Sequence, residues 1–407
     1  MWCFHMFTNV KYKLFTFVNQ KKAMDYLQLA TQYLELKLKG KYIYLDSILP
    51  LLESLNSDFE ITEIGKSVQE RAIYQVKIGT GKTKILMWSQ MHGNESTTTK
   101  GLFDFFNFLQ SDNEIANRIK NEYTLLCIPM LNPDGAFLYT RENANKVDLN
   151  RDAFNATQPE MQVLHSIYKS FQPDYCYNLH DQRTIFGTEG FNLPATVSFL
   201  SPAFNEEREY NDVRLKAIHI INKMNNALQQ YIPNQVGRFD DSYNVNCTGD
   251  YFTTQNTSTI LFEAGHYGND YDRDIVRNYI FISLLSSFDV SYENVIVDNE
   301  LMDYLKIPQN NKCFYDFIYK NVKIIDNSEE KIINFAAQYT EVVQDGQLKF
   351  VARIIKIDDL QDFIGHLEYD CKNGLFTSKG KHFPIIEEKA DFFINNLTEF
   401  NNGVKII

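Results

Sequence analysis

The sequence predicts an α/β fold: a mixed, mostly parallel central sheet with helices on both faces, followed by a small β-rich C-terminal domain. Two observations carry that expectation. Between residues 61 and 289 strand-like and helix-like segments alternate, as they do in βαβ units. Beyond residue 301 the helical spacing gives way to strand-like runs separated by polar turns.

Taken in order, residues 1–23 read as an N-terminal extension and 24–60 as a helical lead-in, in which MDYLQLATQYLELKLKG carries apolar residues at helical spacing and lysines toward its end. The central domain spans 61–289. Its segments AIYQVKI and KILMWSQM read as strands, TTTKGLFDFFNFLQ as a helix, and EYTLLCIPML as a strand. PEMQVLHSIYKSF is a helix opened by Pro159, and DYCYNLH the next strand. EYNDVRLKAIHIINKMNNALQQYI is a long amphipathic helix, STILFEAG a strand, and DIVRNYIFISLLSSF a helix. Residues 291–300, SYENVIVDNE, read as a connection to the domain at 301–407. There CFYDFIYKNVKIID, QLKFVARIIKID and FIGHLEYDCKNGLF read as short strands. No internal repeat is present.

With 407 residues, 44% of them apolar and 14% aromatic, the chain has ample material for a core. A formal charge of −12 argues against a nucleic-acid partner, which needs a basic footprint. A few arginines can still reverse the field in one cleft and admit a small anion. No run approaches the about 20 apolar residues of a membrane span. The N-terminal apolar run is broken by Lys11 and Lys13 and lacks a small-residue cleavage site, so it makes a poor signal peptide, and the folded protein is expected to begin near Met24. Six scattered cysteines without a CxxC pair point to a reduced, cytoplasmic setting.

The chemistry sits at the expected strand ends. In open α/β sheets ligands bind at the carboxyl ends of the strands. His92 and Glu95 follow KILMWSQM, His180 closes DYCYNL, and Glu263 closes STILF. Two histidines and one glutamate form a known catalytic zinc set with a fourth position for water. A separate base must then take the proton, and Glu263 is the natural candidate. The segment NPDGAFLYTRENANKVDLNRDA adds Arg141, Asp148, Asn150 and Arg151. An arginine beside an amide makes a carboxylate clamp. Asp148, expected to share a face with Asn150 in extended chain, can accept a hydrogen bond from a metal-binding histidine.

Across roughly residues 61–289 the chain resembles the zinc carboxypeptidases of the M14 type, through HGNE, NPDG, RENANKVDLNR, a strand-end histidine and FEAG. The resemblance implies one Zn2+ per chain on His92, Glu95 and His180, with Glu263 activating water as general base. It implies that Arg141 stabilises the oxyanion, that Asn150 and Arg151 hold the substrate's terminal carboxylate, and that Asp148 orients His92. The expected activity is removal of single residues from peptide C-termini, the partner being a peptide or a small carboxylate-bearing substrate. Two departures stand out. The third ligand is followed by HDQR, which places Asp181 and Arg183 beside the metal, where the family often has a small residue. For the family's carboxylate-capping tyrosine, Tyr243 is the choice and Tyr251 the competitor; Asp250, in the same stretch, would favour a positively charged side chain.

His219 and His165 read as packed helix residues, and His5, His366 and His382 fall outside the central domain, while for His266, two residues past FEA, lining the cleft is the lesser alternative to packing. Two other functions compete. One is zinc-dependent deacylation of N-acyl amino acids, which uses a similar site. The other is carboxylate binding without catalysis, against which the retention of Glu263 speaks.

Overall fold

The computed structural model describes residues 24–288 and 297–406. The extension at 1–23 and most of the connection expected at 291–300 lie outside the described residues.

The chain opens with α1 (Tyr26–Gln32) and α2 (Leu45–Ser54), then β1 (Glu60–Lys66), β2 (Ala72–Ile78) and β3 (Thr83–Ser89). Helices α3 (Thr97–Leu109) and α4 (Glu114–Glu122), strand β4 (Tyr123–Ile128) and helices α5 (Pro133–Leu138) and α6 (Pro159–Phe171) follow. Next come β5 (Tyr175–Asp181), β6 (Phe186–Thr188), β7 (Leu193–Pro194), β8 (Val197–Leu200), α7 (Asp212–Leu228) and β9 (Val236–Arg238). Helix α8 (Thr248–Thr254), β10 (Ser258–Ala264), α9 (Val276–Ser286) and α10 (Val297–Lys306) complete this part. The eight-stranded sheet runs β1-β2-β4-β3-β5-β10-β8-β9. Strands β4, β3, β5 and β10 are mutually parallel neighbours, so their carboxyl ends share one edge. In β3, Ile85, Leu86, Met87 and Trp88 are all buried, as expected for an interior parallel strand covered on both faces.

After β11 (Asn310–Lys312), the C-terminal part is built from β12 (Phe314–Asp326), β13 (Glu329–Gln344), β14 (Gln347–Ile357), β15 (Ile364–Thr377), β16 (Phe392–Ile394), β17 (Thr398–Asn401) and β18 (Val404–Lys405). They form a seven-stranded sheet in the order β14-β13-β12-β15-β16-β17-β18. Backbone hydrogen bonds from Ala390 to Ala352 and from Gly403 to Ala390 tie its two ends together. Its core is aromatic: Tyr319 packs on Phe335, Tyr369, Phe392 and Phe400. Both parts of the fold class expected from the sequence are therefore present.

The structure departs from the sequence expectation in several places. The helix expected through Gly40 stops at Gln32. The cause is Arg277 on α9, whose buried guanidinium takes the carbonyl oxygens of Glu35 and Leu38 at 3.2 and 2.5 Å, acceptors that a continuing helix would use itself. NPDG makes a short helix rather than a plain turn, with Pro133 in its first turn and the Asn132 side chain accepting from the Gly135 N–H at 2.8 Å. Helix α10 occupies the end of the expected connection. The C-terminal strands are long, and β13, which was not anticipated, has 16 residues. Its alternation is blurred because Phe335, Ala336 and Ala337 are all buried while its ends are charged and exposed.

Arg277 also makes a two-pronged ion pair with Asp104 of α3, with Nε to Oδ2 at 2.8 Å. Both side chains are buried, and desolvation raises the Asp104 carboxyl to about 6 in spite of the guanidinium. Removing one partner strands the other without compensation. Arg277→Met is expected to lower the free energy of unfolding by about 3–5 kcal/mol, read from urea denaturation. A loss below about 1 kcal/mol, the scale of an exposed pair, would contradict this account.

Candidate active site

The HGNE and NPDG motifs meet backbone to backbone. A Cβ on Gly93 would lie 1.9 Å from the carbonyl carbon of Gly135, so neither chain can carry a side chain there. Gln90, with a positive φ of 45°, straps the turn together. Its amide nitrogen reaches the carbonyl oxygens of Ile43 and Gly93, both at 2.9 Å, and its oxygen accepts from Thr99 Oγ1. This strained, buried turn aims His92 and Glu95 beyond the end of β3.

The ligand atoms of His92, Glu95 and His180 lie within 4.8 Å of one another. His92 Nδ1 is 2.9 Å from Glu95 Oε1 and 3.1 Å from His180 Nδ1, and His180 Nδ1 is 2.8 Å from Glu95 Oε2. On its other side His92 Nε2 faces Asp148 Oδ1 at 3.0 Å. A carboxylate only accepts, so His92 keeps its proton on Nε2 and donates it to Asp148, which leaves a lone pair on Nδ1. That lone pair points at another acceptor, Glu95. Acceptors converging on one buried point require a cation or a shared proton, and an N2O set of this kind suits zinc.

The electrostatics agree. Burial alone would raise the Asp148 carboxyl, but the hydrogen bond and charge of His92, with Arg141 beside them, hold it well below the usual range. Glu95 is likewise held low by the two histidines against its own burial. Burial disfavours charge on His92, yet Glu95 and Asp148 raise its proton affinity, whereas burial keeps that of His180 below normal.

Strand pairing brings in the fourth residue. In the parallel β5–β10 ladder Glu263 lies directly opposite His180, so both side chains leave the same face. Glu263 Oε2 is buried with no hydrogen-bond partner among the described residues. Burial, then the neighbouring charges of Glu95 and Asp181, push this carboxyl well above the usual range.

A cleft of about 390 Å³ is lined by His92, Glu95, His180, Glu263, Arg141, Asn150 and Arg151, among others. Arg141 reaches Asp148 Oδ2 through Nε at 3.0 Å and Glu95 Oε1 through Nη1 at 3.1 Å. Asp148 and Asn150 do not lie in extended chain as expected. Asp148 caps a single 3-10 turn over Leu149–Arg151 and accepts from the Asn150 N–H at 2.9 Å. Asn150 Oδ1 in turn accepts from the Thr248 N–H, which fixes the loop that carries Cys247 and Asp250 into the cleft. Tyr243 is half-buried on that loop but does not line the cleft, whereas its neighbour Ser242 does. Tyr251 stacks on His165 at 4.9 Å, away from the cleft. Asp250 sits beside an apolar wall that includes Leu200, Pro202 and Leu261, and burial pushes its carboxyl up to about 7.

His219 is buried and pairs with Glu300 at 2.8 Å. His266, for which the cleft was the lesser alternative, packs against Tyr271 and against His366 of the C-terminal domain. Asp181 has a part that sequence reasoning missed. Its carboxylate accepts from the Thr97 N–H at 2.9 Å at the start of α3, and its own N–H donates to Glu95 Oε2 at 3.2 Å. One aspartate thus couples β5, α3 and the ligand set. The only sequence signal was the unusual HDQR.

Residues 45–176 match the family model for zinc carboxypeptidases, Peptidase_M14. The resemblance expected from the motifs is borne out over that stretch, which ends before His180 and Glu263. Carboxypeptidase 2 of Trichophyton rubrum is 25% identical over 100 residues, 24% of this chain and 19% of the relative; Carboxypeptidase 2 of Trichophyton equinum gives the same figures. The match thus spans about a fifth of the length of these curated relatives. Among solved structures, a metallo-carboxypeptidase from Burkholderia cenocepacia aligns at 16% identity and a TM-score of 0.47, covering 60% of this chain and 69% of that one. One from Pseudomonas aeruginosa, in complex with (2-guanidinoethylmercapto)succinic acid, aligns at 17% and 0.47, covering 63% and 69%.

Groups that orient a metal-binding histidine are worth about 10–100-fold in metal affinity. Asp148→Ala is expected to weaken zinc binding by that factor in a chelator competition, with Glu263→Gln leaving it unchanged. Equal affinity in Asp148→Ala and the parent protein would remove Asp148 from the site.

Proposed function

From a chain related to the M14 zinc carboxypeptidases, we propose a metallocarboxypeptidase that hydrolyses the C-terminal peptide bond of peptides. One observation carries the reading: Glu263, whose Oε2 is buried with no hydrogen-bond partner among the described residues, stands opposite His180 in a cleft that also holds Asn150 and Arg151. A carboxylate-binding protein has no use for such a base.

His92, Glu95 and His180 would hold the zinc, which supplies Lewis-acid polarisation of the carbonyl and an acidified water. The substrate's terminal carboxylate is held by Arg151 and the Asn150 amide, a guanidinium beside an amide in the same cleft. That places the last peptide bond beside Glu263. Burial has tuned this carboxyl upward, toward the range in which a general base works best. Glu263 takes the proton from the attacking water and delivers it to the departing amine. Arg141 leaves its contact with Glu95 to donate to the oxygen on which negative charge grows. Asp250, at the apolar wall, selects a basic C-terminal side chain.

The deciding experiment uses the zinc-loaded protein with a free-acid peptide library and its C-terminally amidated twin, followed by mass spectrometry. Single-residue loss from the free acids alone is expected, and cleavage of neither library would end the peptidase reading. Glu263→Gln is expected to lower kcat by about 10²–10⁴ with little change in KM.

Asp250 gives a pH signature with a definite sign. Its carboxyl, raised to about 7 by burial, is neutral below that value and negative above it. The ratio of kcat/KM for C-terminal lysine over C-terminal leucine is expected to rise as pH increases through about 7, and Asp250→Asn to flatten it. A ratio that is flat with pH in the unsubstituted protein would remove Asp250 from specificity.

A further inference from the structure

A second cavity, of about 310 Å³, adjoins the cleft, and Glu95, Arg141, Asp181, Gln182 and Arg183 line both. The HDQR stretch therefore forms the lip between them. The chain on either side of Arg183 is tied down. Gln182 donates its N–H to the Ala264 carbonyl oxygen at 2.8 Å, and its own carbonyl oxygen accepts from Arg273 Nη2 at 3.1 Å. The Thr184 carbonyl oxygen lies 2.9 Å from His366 Nε2, and Thr184 Oγ1 accepts from Gln338 Nε2 at 2.6 Å. The end of β10 thus holds one flank, and the C-terminal domain holds the other.

Every charged group around the second cavity but one has its partners. Of the carboxylates that line it, Glu341 is met by Lys41 and the Tyr139 hydroxyl, and Asp316 by the Tyr271 hydroxyl, the Gln338 amide and the Tyr339 N–H. Asp181 accepts from Thr97, and Glu95 faces the two histidines. Of the cations, Lys41 is paired with Glu341, Arg273 donates to the carbonyl oxygens of Ala264 and Gln182, and Arg141 reaches Asp148 and Glu95. Arg183 is left: it is exposed and makes neither a hydrogen bond nor an ion pair to any described residue. The group without a partner is therefore a cation, on a side chain that holds no part of the fold together. An exposed guanidinium is well solvated by itself, so its place is what distinguishes this one. The cleft holds Asn150 and Arg151 for the leaving residue. A peptide seated there brings the residue before the scissile bond onto the lip where Arg183 stands. A planar guanidinium with free N–H groups pairs bidentately with a carboxylate.

We propose that Arg183 receives the side-chain carboxylate of the residue immediately before the scissile bond, so that the protein favours peptides with glutamate in the penultimate position. The inference rests on the carboxypeptidase reading for the direction in which the peptide lies. It gives the C-terminal domain a part in specificity, since His366 and Gln338 hold the segment that carries Arg183.

The test measures binding rather than turnover. Zinc-loaded Glu263→Gln protein is titrated calorimetrically with N-acetyl-Ala-Glu-Leu and with N-acetyl-Ala-Gln-Leu, which matches it in shape and lacks the side-chain charge. The glutamate peptide is expected to bind about three- to fivefold more tightly at low salt, the scale of one exposed ion pair, and the difference to fade at high ionic strength. Adding Arg183→Gln is expected to abolish the preference, with affinity for the glutamine peptide and the melting temperature unchanged. Adding Arg183→Glu is expected to turn the preference toward N-acetyl-Ala-Lys-Leu. Equal affinity for the glutamate and glutamine peptides while Arg183 is intact, a preference that survives Arg183→Gln, or binding of neither peptide would overturn the proposal. Turnover of the same peptides by the unsubstituted protein reports separately on hydrolysis. Glutamate-selective binding without turnover would overturn the hydrolytic reading and leave the subsite standing, and hydrolysis of both peptides at equal affinity would do the reverse.

Discussion

The parallel pairing of β3, β5 and β10 is the constraint on which the rest depends. Because these strands run the same way, their carboxyl ends lie at one edge, and the register of β5 against β10 sets His180 opposite Glu263. A one-residue slip would send Glu263 to the other face. Asp181 then secures the end of β5 to the start of α3, and through its N–H to Glu95. The turn that presents His92 and Glu95 is fixed separately, by Gln90 and by the contact of Gly93 with Gly135. The candidate metal-binding side chains from two chain segments, and Glu263 from a third, thus rest on backbone geometry.

That rigidity lets mutually unfavourable groups share a small volume. Glu95, Asp148, Asp181 and Glu263 crowd the site, and burial penalises the charge of each. Histidines and Arg141 compensate Glu95 and Asp148, while Glu263 stays raised. Two carboxyls on one site edge are thereby driven apart in proton affinity. The C-terminal domain takes part in the same economy of charge. Glu341 pairs with Lys41 and Asp316 with Gln338.

The parts legible in sequence were local. The strand KILMW showed itself by its unbroken apolar run, the helix from Pro159 by its proline and spacing, and His92, Glu95, His180 and Glu263 by their places at strand ends. What was not legible depended on distant partners. Nothing around Glu35 says that its carbonyl will be claimed by Arg277, more than two hundred residues away, so the lead-in helix read too long. For His266, which follows a strand, the sequence left the cleft open as an alternative, but its ring packs on His366 from the C-terminal domain. The strand β13 read as nothing definite because it is buried in its middle on both faces and exposed at both ends.

The sequence by itself therefore determined the alternation of elements, the edge of the sheet that carries the chemistry, and the residue types that meet there. Those follow from periodicity and from short-range turn chemistry, which act within a few residues. Only the tertiary structure decided that Asp148 caps a turn while facing His92, that Asp181 ties the end of β5 to the start of α3 and to Glu95, and that Tyr243 stands off the cleft. Each of these is a contact between segments far apart in the chain, fixed by packing and by the need to satisfy buried polar groups, and no local pattern encodes it.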